Sequence, residues 1–286
     1  MHRVAFIGIG VMGRSMAGHL MDAGYELHLY TRTRAKAAPL IARGAVCHET
    51  AGDCARAAEA IITMVGFPQD VEEVYFDQEG ILENALPGTL LIDMTTTDPA
   101  LSERIYLAAK EKGLSALDAP VSGGDVGAKN ATLTIMVGGD REAFDRATEL
   151  FEKMGKSITY TGPAGSGQHT KVCNQIAVVG ALAGATEALV YARKAGLDPE
   201  NMLSCISGGA AASWQLNNMI PRILADNYAP GFFLKHQVKD LRIAAEQAKA
   251  LGADLPITEA IKAMYERLEA EGFGDDGTQA LIKYYE

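Results

Sequence analysis

The chain has 286 residues, 48% of them hydrophobic, which is enough for two domains with a core each. Its formal net charge of −10 disfavours a nucleic acid or an anionic membrane as the main partner, because both would repel it at long range. Its cysteines form no Cys-x-x-Cys pair, it has no run of about eighteen apolar residues, and its N-terminal segment lacks the core of a signal peptide. We therefore expect a cytoplasmic protein with reduced thiols, no membrane span and no metal site.

The first predicted strand, residues 4–7, runs into a glycine-rich turn and then into a helix. In a Gly-x-Gly-x-x-Gly turn, the first glycine permits the bend, the second lets a pyrophosphate approach the backbone, and the third lets the helix pack on the strand. The N–H groups at the start of the helix then face the phosphates. The segment therefore predicts dinucleotide binding. The candidate residues are Gly8, Gly10, Val11, Met12 and Gly13.

Short apolar runs alternate with amphipathic helical stretches as far as about residue 160. The further predicted strands are 26–31, 60–65, 89–94, 115–118, 133–137 and 157–160. This alternation is typical of a parallel sheet between two layers of helices.

Helical periodicity replaces the strand-like runs after residue 163. A long helix over 168–194 is apolar on most faces, as expected for a helix that other helices surround. Shorter helices are predicted near 199–207, 213–226, 236–251 and 256–271. The sequence thus predicts an α/β Rossmann domain, residues 1–163, followed by an all-α C-terminal domain built around one long helix, residues 164–286.

The segment after the second predicted strand bears on the choice of cofactor. Dinucleotide domains that prefer NAD usually carry Asp or Glu there for the ribose 2′-hydroxyl, whereas this chain has Thr31-Arg32-Thr33-Arg34. Guanidinium groups bind phosphate in a fork, so Thr31, Arg32 and Thr33 favour the 2′-phosphate of NADP, with NAD possible. The alternative is that the arginines are merely solvated, and for Arg34 neither interpretation is preferred.

Ligands of such sheets lie beyond the carboxyl ends of the strands, so the residues that follow each strand are candidates. Met64 and Val65 follow one predicted strand, and Thr96 follows the next. Thr96 either bonds the nicotinamide ribose or caps the next helix. Ser122-Gly123-Gly124 either offers a hydroxyl and unhindered backbone N–H groups to a carboxylate or is a plain glycine turn.

Lys171 falls in the first turns of the predicted long helix, and Asn174 projects from the same side. Burial would lower the pKa of this amine from about 10.4, so that Lys171 donates or accepts a proton near neutrality. Most helical lysines are solvated instead. The apolar composition of this helix favours the buried alternative.

Four motifs, taken in order, closely resemble those of the β-hydroxyacid dehydrogenases, the family that contains 3-hydroxyisobutyrate dehydrogenase and tartronate semialdehyde reductase. The motifs are Gly8-x-Gly10-x-x-Gly13, Asp118-Ala119-Pro120-Val121-Ser122-Gly123-Gly124, Gly165-x-Gly167-x-x-x-Lys171-x-x-Asn174 and Lys239-Asp240-Leu241. The resemblance covers essentially the whole chain. It implies an NAD(P)-dependent oxidoreductase that interconverts a short β-hydroxy acid and its semialdehyde.

The resemblance also implies a role for each matching residue. Lys171 is the catalytic proton donor and acceptor, and Asn174 orients the substrate. Ser122, Gly123 and Gly124 hold the substrate carboxylate. Thr96 and Lys239 lie at the cofactor, and Asp240 lies beside the substrate pocket. The family commonly has a second asparagine after Asn174, where this chain has Gln175.

Several alternatives stay open at this point. An imine reductase resembles this fold but typically has Asp or Tyr in place of Lys171. A noncatalytic nucleotide-binding module would have lost either the lysine or the anion-binding segment Ser122-Gly123-Gly124. Methylmalonate semialdehyde, tartronate semialdehyde, succinate semialdehyde and glyoxylate all suit a small carboxylate nest. Trp214 and Phe232 either line the pocket or pack in a core. The apolar long helix favours a homodimer or homotetramer.

Overall fold

The computed structural model describes residues 1–286 as two compact units, Met1–Lys171 and Val172–Glu286. The division falls inside one long helix, whose first turns are hydrogen-bonded to the first unit. The boundary expected after residue 163 lies just before this helix, and as a division of function it stays a prediction.

The first unit is built on one nine-stranded sheet. Its strands are β1 Arg3–Ile7, β2 Glu26–Tyr30, β3 Val46–Cys47, β4 Ala60–Thr63, β5 Leu90–Asp93, β6 Ser115–Asp118, β7 Val121–Ser122, β8 Leu133–Gly139 and β9 Gly155–Gly162. The order is β3-β2-β1-β4-β5-β6-β8-β7, with β9 beside β8. The strands from β3 to β6 in this order are parallel, whereas β8 is antiparallel to β6 and β7.

Helices cover both faces of this sheet. They are α1 Val11–Asp22, α2 Ala38–Ile41, α3 Ala51–Arg56, α4 Pro68–Phe76, α5 Ile81–Asn84, α6 Pro99–Glu111, α7 Gly124–Lys129 and α8 Arg141–Glu152. Side chains of β1 alternate between two apolar layers, with Val4 and Phe6 in one and Ala5 and Ile7 in the other. A strand buried on both faces is apolar throughout, which is why the sequence shows it as a continuous run.

The predicted α/β architecture is confirmed, and the sheet adds two features to it. The two-residue strands β3 and β7 are too short to give a periodic signal. The expectation of a parallel sheet is wrong for β8, which runs antiparallel to β6 and β7. Residues 123–132, which join β7 to β8, are too few for a parallel crossover, because such a connection takes about a dozen residues or more.

The second unit is helical, as predicted. Its helices are α9 Ser166–Lys194, which begins in the first unit, α10 Pro199–Ile206, α11 Trp214–Leu224, α12 Leu234–Leu251 and α13 Pro256–Ala270, followed by a 3₁₀ helix over Thr278–Tyr285. Val179 of α9 packs with Leu241 of α12 and Tyr265 of α13 in one core. Helix α12 is followed by Gly252, whose φ of 68° is the left-handed conformation common after a helix.

Helix α9 is less covered than the sequence suggested. Only 39% of the most apolar 18-residue stretch of this helix is buried, and Tyr191 is 73% exposed. The expectation that other helices surround it is therefore not met within this chain. By length and composition alone the helix is apolar enough to cross a membrane, but core helices of soluble proteins pass the same test.

Candidate active site

The turn between β1 and α1 combines two glycines that the fold requires with one that it does not. Gly8 has φ +100°, and a Cβ there would overlap the carbonyl oxygen of Met64. A Cβ at Gly13 would overlap the carbonyl oxygen of Gly8. Gly10 is exposed, has φ −86°, and has nothing within 4 Å of the position of a Cβ. Open space therefore lies beside the start of α1, where a phosphate would meet free N–H groups.

Val11 and Met12 form the first residues of α1. Val11 is 48% exposed and Met12 is half-buried against the core of the first unit. The structure thus gathers the predicted residues 8–13 at one turn, and their contact with a cofactor stays a prediction.

Arg32, at the carboxyl end of β2, has a carboxylate partner that the sequence did not reveal. Its Nη1 donates to Oδ1 of Asp70 at 2.7 Å, and Oδ2 of Asp70 accepts from the N–H of Phe67 at 3.0 Å. Asp70 lies 38 residues further along the chain, in α4. Because β2 and β4 both flank β1, the loops after them meet at the same edge. Asp70 therefore holds the guanidinium of Arg32 at the carboxyl edge of the sheet.

The rest of this loop is polar and accessible. Thr31 is half-buried and Thr33 is exposed. Arg34 donates from Nη1 to Oε1 of Glu49 at 2.9 Å, with both side chains largely exposed. Exposed ion pairs of this kind contribute little to stability, so these side chains remain available to a ligand.

The loops after β4 and β5 are tied together. The N–H of Met64 donates to the carbonyl of Ile7 at 2.9 Å, and the N–H of Val65 donates to Oγ1 of Thr95 at 3.0 Å. Thr96 is half-buried between buried Thr95 and Thr97. Met64, Val65 and Thr96 therefore lie at the same edge as the glycine turn.

The alternative that Thr96 caps the next helix is wrong. The N-cap of α6 is Asp98, whose Oδ1 accepts from the N–H of Ala100 at 2.7 Å. Thr96 is therefore not needed as a helix cap. Its contact with the nicotinamide ribose stays a prediction.

Asp118, at the end of β6, fixes the start of α9. Its two carboxylate oxygens accept from the N–H groups of Gly165 and Gln168, each at 2.9 Å. The fit is tight, because a Cβ at Gly138 or Gly167 would overlap the Asp118 carboxylate. A carboxylate in this place also complements the positive end of the helix dipole.

Burial raises the pKa of Asp118 to about 6, and the charge of Asp93 on the neighbouring strand adds to the rise, whereas the N–H groups of Gly165 and Gln168 oppose it. The folded-state pKa thus exceeds the unfolded value of 3.8, so the native state binds more protons between about pH 4 and 6. The contribution of Asp118 to stability is present below this window and is lost as the pH rises through it.

We therefore expect the free energy of unfolding of the natural chain, minus that of Asp118→Asn, to fall by up to about 3 kcal/mol between pH 4 and pH 7. The variant has no charge at this position at any pH, so the difference isolates the Asp118 carboxyl. Urea denaturation across this range measures it. A difference that grows with pH would show that hydrogen bonding outweighs burial at this carboxylate.

Lys171 lies one turn beyond Gln168 on α9 and is 6% exposed. The alternative of a solvated surface lysine is therefore wrong. Asp118 fixes the first turn of this helix, and the buried Lys171 lies in the same unit as the carboxyl edge of the sheet. Its catalytic role and the predicted pKa shift stay predictions.

The Ser122-Gly123-Gly124 motif joins β7 to α7. Ser122 is half-buried, and Gly123 and Gly124 have φ values of +130° and +63°. Two successive positive φ values favour glycine. Because glycine has no side chain, the backbone N–H groups here are unobstructed. This geometry suits both the anion nest and the plain turn, so the two interpretations stay open.

In the second unit a chain of amides ends on a buried carboxylate. Asn174 donates from Nδ2 to Oε1 of Gln175 at 2.8 Å, and Gln175 donates from Nε2 to Oδ2 of Asp240 at 2.5 Å. Lys239 Nζ lies 3.1 Å from Oδ1 of Asp240, whose side chain has no exposed area. The Gln175 side chain, longer than the asparagine that the resemblance led us to expect here, thus spans from α9 to α12 and accepts a hydrogen bond from Asn174.

Trp214 is 59% exposed at the start of α11, so the core-packing interpretation of this residue is wrong. Phe232 is half-buried, which decides neither alternative for it.

Comparisons with known proteins cover nearly the whole chain. Residues 3–162 match the family described as the NAD binding domain of 6-phosphogluconate dehydrogenase. Residues 165–285 match the family described as NAD-binding of NADP-dependent 3-hydroxyisobutyrate dehydrogenase. Two separate family models thus match the two parts of this chain in order.

Relatives and solved structures agree with these matches. The chain is 52% identical to the uncharacterized oxidoreductase YkwC of Bacillus subtilis (strain 168), over 99% of this chain and 98% of that protein. It is 39% identical to 2-hydroxy-3-oxopropionate reductase of Escherichia coli (strain K12), over 99% and 97%. Its fold matches 3-hydroxyisobutyrate dehydrogenase of Mycobacterium tuberculosis in complex with L-serine, with a TM-score of 0.91, 31% identity and coverage of 100% and 99%.

Proposed function

The chain belongs to the β-hydroxyacid dehydrogenase family of NAD(P)-dependent oxidoreductases, and we propose that it interconverts a short β-hydroxy acid and its semialdehyde with Lys171 as proton donor and acceptor. One observation carries the proposal. Lys171 is a buried amine on a helix whose first turn is hydrogen-bonded to the carboxyl edge of the nucleotide-binding sheet.

The residues of this edge fit a dinucleotide. The open space at Gly10, beside the N-terminus of α1, is the place that a Cβ would fill and a pyrophosphate needs. Thr96, Met64 and Val65 lie further along the same edge, where they would contact the nicotinamide half. When bound, NAD(P) supplies or accepts the hydride at the carbonyl carbon of the substrate.

Lys171 donates its proton to the carbonyl oxygen as the alcohol forms, and it takes the proton back in the reverse direction. Its positive charge also stabilises the negative charge that develops on that oxygen. Asn174, on the same side of α9 and held by Gln175, orients the substrate. Ser122, Gly123 and Gly124 hold the substrate carboxylate. The resemblance assigns Lys239 to the cofactor and Asp240 to the substrate pocket, and Asp240 holds both Lys239 and Gln175.

We further propose that NADP is preferred over NAD through Arg32. Arg32→Ala is expected to weaken NADPH binding by about 10- to 100-fold, since a hydrogen-bonded charge pair is worth roughly 1.5–3 kcal/mol. NADH binding should change far less, because Asp70, left without Arg32, repels a 2′-phosphate but accepts a bond from a 2′-hydroxyl. Fluorescence titration with both reduced cofactors measures the two dissociation constants.

Arg43→Ala is the matched control for this experiment. Arg43 is another exposed arginine of the first unit that is paired with an aspartate, Asp22, but it precedes β3 and so lies at the amino edge of the sheet. Its loss should leave both dissociation constants unchanged. Equal weakening of NADPH and NADH by Arg32→Ala would mean that Arg32 does not bind the phosphate.

The substrate class is tested by the oxidation of NADPH with a panel of small aldehyde acids. The panel contains methylmalonate semialdehyde, tartronate semialdehyde, succinate semialdehyde and glyoxylate. Turnover of at least one is expected, and the ratios of kcat/KM rank the members. A protein that binds NADPH but turns over none of them, and none of the matching hydroxy acids with NADP, would contradict the proposed reaction.

We also propose that the enzyme is a cytoplasmic homodimer or homotetramer. The support is the incomplete coverage of apolar helix α9 within one chain, together with its exposed Tyr191. Light scattering on the purified protein gives the mass in solution, and a monomer at micromolar concentration would contradict the proposal.

A further inference from the structure

Gln168 links the loop that carries Thr96 to the helix turn that carries Lys171. Its side chain has no exposed surface. Nε2 donates to the carbonyl of Thr95 at 2.7 Å, and Oε1 accepts from the N–H of Thr97 at 3.1 Å. The donor and the acceptor of one side-chain amide therefore both bind backbone groups of the two residues that flank Thr96.

The same residue is anchored on its backbone side as well. The N–H of Gln168 donates to Oδ2 of Asp118 at 2.9 Å. Gln168 thus joins the ends of β5 and β6 to the first turn of α9. Three residues later on the same side of this helix is Lys171. All of these groups belong to the first unit.

The chemistry of the amide explains why a glutamine suits this position. One backbone group of the loop is a donor and the other is an acceptor, so the side chain that bridges them needs one group of each kind at its end. A neutral amide supplies both without burying a charge, which would be costly in this fully enclosed place. Leucine has a similar size but can satisfy neither backbone group.

We propose that Gln168 is a positioning residue for the reaction, because it fixes the helix turn that carries Lys171 against the loop that carries Thr96. The inference rests on the proposed roles of Lys171 and Thr96. Hydride and proton reach adjacent atoms of one carbonyl group, so the two segments that place them must keep a fixed separation. A displacement of about 1 Å in such an arrangement costs about 10²-fold in rate.

The test compares Gln168→Glu with Gln168→Leu over a range of pH. An ionised carboxylate sets a negative oxygen against the carbonyl of Thr95, whereas the protonated form again has one O–H donor and one acceptor. We expect kcat of Gln168→Glu to stay near the natural value while the buried carboxyl is protonated, and to fall by about 10- to 100-fold as the pH rises and the carboxyl ionises. Gln168→Leu should stay reduced at every pH. Each value is divided by that of the natural enzyme at the same pH, so that the titration of Asp118 cancels.

A second readout requires neither cofactor nor turnover. In the apo protein, hydrogen–deuterium exchange of the peptide that contains Thr97 should be faster in Gln168→Leu than in the natural chain, because the N–H of Thr97 loses its acceptor. The dissociation constant of NADPH, measured by fluorescence, should rise less than kcat falls, since the glycine turn is untouched.

Asn84→Asp is the matched control. Asn84 also donates its amide to backbone carbonyls, those of Gln78 and Gly80, but it lies in α5 before β5 and so at the amino edge of the sheet. This variant should keep the natural kcat at every pH, whatever it costs in stability.

Three results would overturn the inference. They are natural kcat in both Gln168 variants, a loss of kcat in Gln168→Glu that does not respond to pH, or unchanged exchange at Thr97 in Gln168→Leu. Failure of the proposed function is distinguishable from all of these, because the natural enzyme would then show no turnover. The exchange experiment in the apo protein would still report whether Gln168 holds the N–H of Thr97.

Discussion

Replacement of Lys171 by alanine is expected to lower kcat for semialdehyde reduction by about 10³-fold, while the dissociation constant of NADPH changes little. The amine is proposed both to protonate the carbonyl oxygen and to stabilise its developing charge, and general acid catalysis alone contributes about 10²–10⁴-fold. Cofactor affinity should persist because the glycine turn and Arg32 lie on other segments. Steady-state kinetics with the best substrate of the panel and a fluorescence titration measure the two quantities.

Lys194→Ala provides the matched control. Lys194 is an exposed lysine at the last residue of the same helix, so its removal should leave kcat and cofactor binding unchanged. Retained turnover in Lys171→Ala would refute the proton-transfer role. A fall in kcat that is matched by loss of the folded state would be seen in circular dichroism, and Lys171→Met, of similar length, then separates charge from packing.

Gly10→Ala is expected to weaken NADPH binding by about 10- to 100-fold without lowering the stability of the apo protein. The added methyl group meets no atom of the chain, and the φ of −86° at this residue suits alanine. The methyl group occupies the space through which a pyrophosphate would approach the backbone, and a steric conflict of this kind costs roughly 1–3 kcal/mol. Thermal unfolding with and without NADPH, together with fluorescence titration, measures both effects.

Gly8→Ala provides the contrast, because the same added methyl group should there destabilise the apo protein itself. At Gly8 the backbone has φ +100° and the methyl group would overlap the carbonyl of Met64, so strain and a clash act together. Unaltered NADPH affinity in a stable Gly10→Ala variant would show that the dinucleotide does not pass over this turn.

Much of the architecture could be predicted because it depends on short-range signals. The apolar run before Gly8, the glycine turn itself and the long apolar stretch of α9 each specify local backbone geometry from neighbouring residues. The prolines that begin α10 and α13 act in the same way, since a fixed φ and a missing N–H suit the first position of a helix.

The direction of β8 and the strand β7 could not be obtained in this way. Both depend on how residues 123–132 return to the sheet, which is a matter of connection length and strand order. The exposure of Trp214 was also missed, because an aromatic residue at a helix start has the same local pattern whether or not a core covers it.

The amino-acid sequence by itself predicted which segments bind and which react: the glycine turn, the lysine on its helix and the basic loop at Arg32. Only the tertiary structure decided how these groups are held. Asp70 lies 38 residues from Arg32, Asp118 lies 50 residues from Gln168, and Gln175 lies 65 residues from Asp240. Such partners leave no periodic signal, because they meet only after strand order in the first unit and helix packing in the second have brought distant segments together.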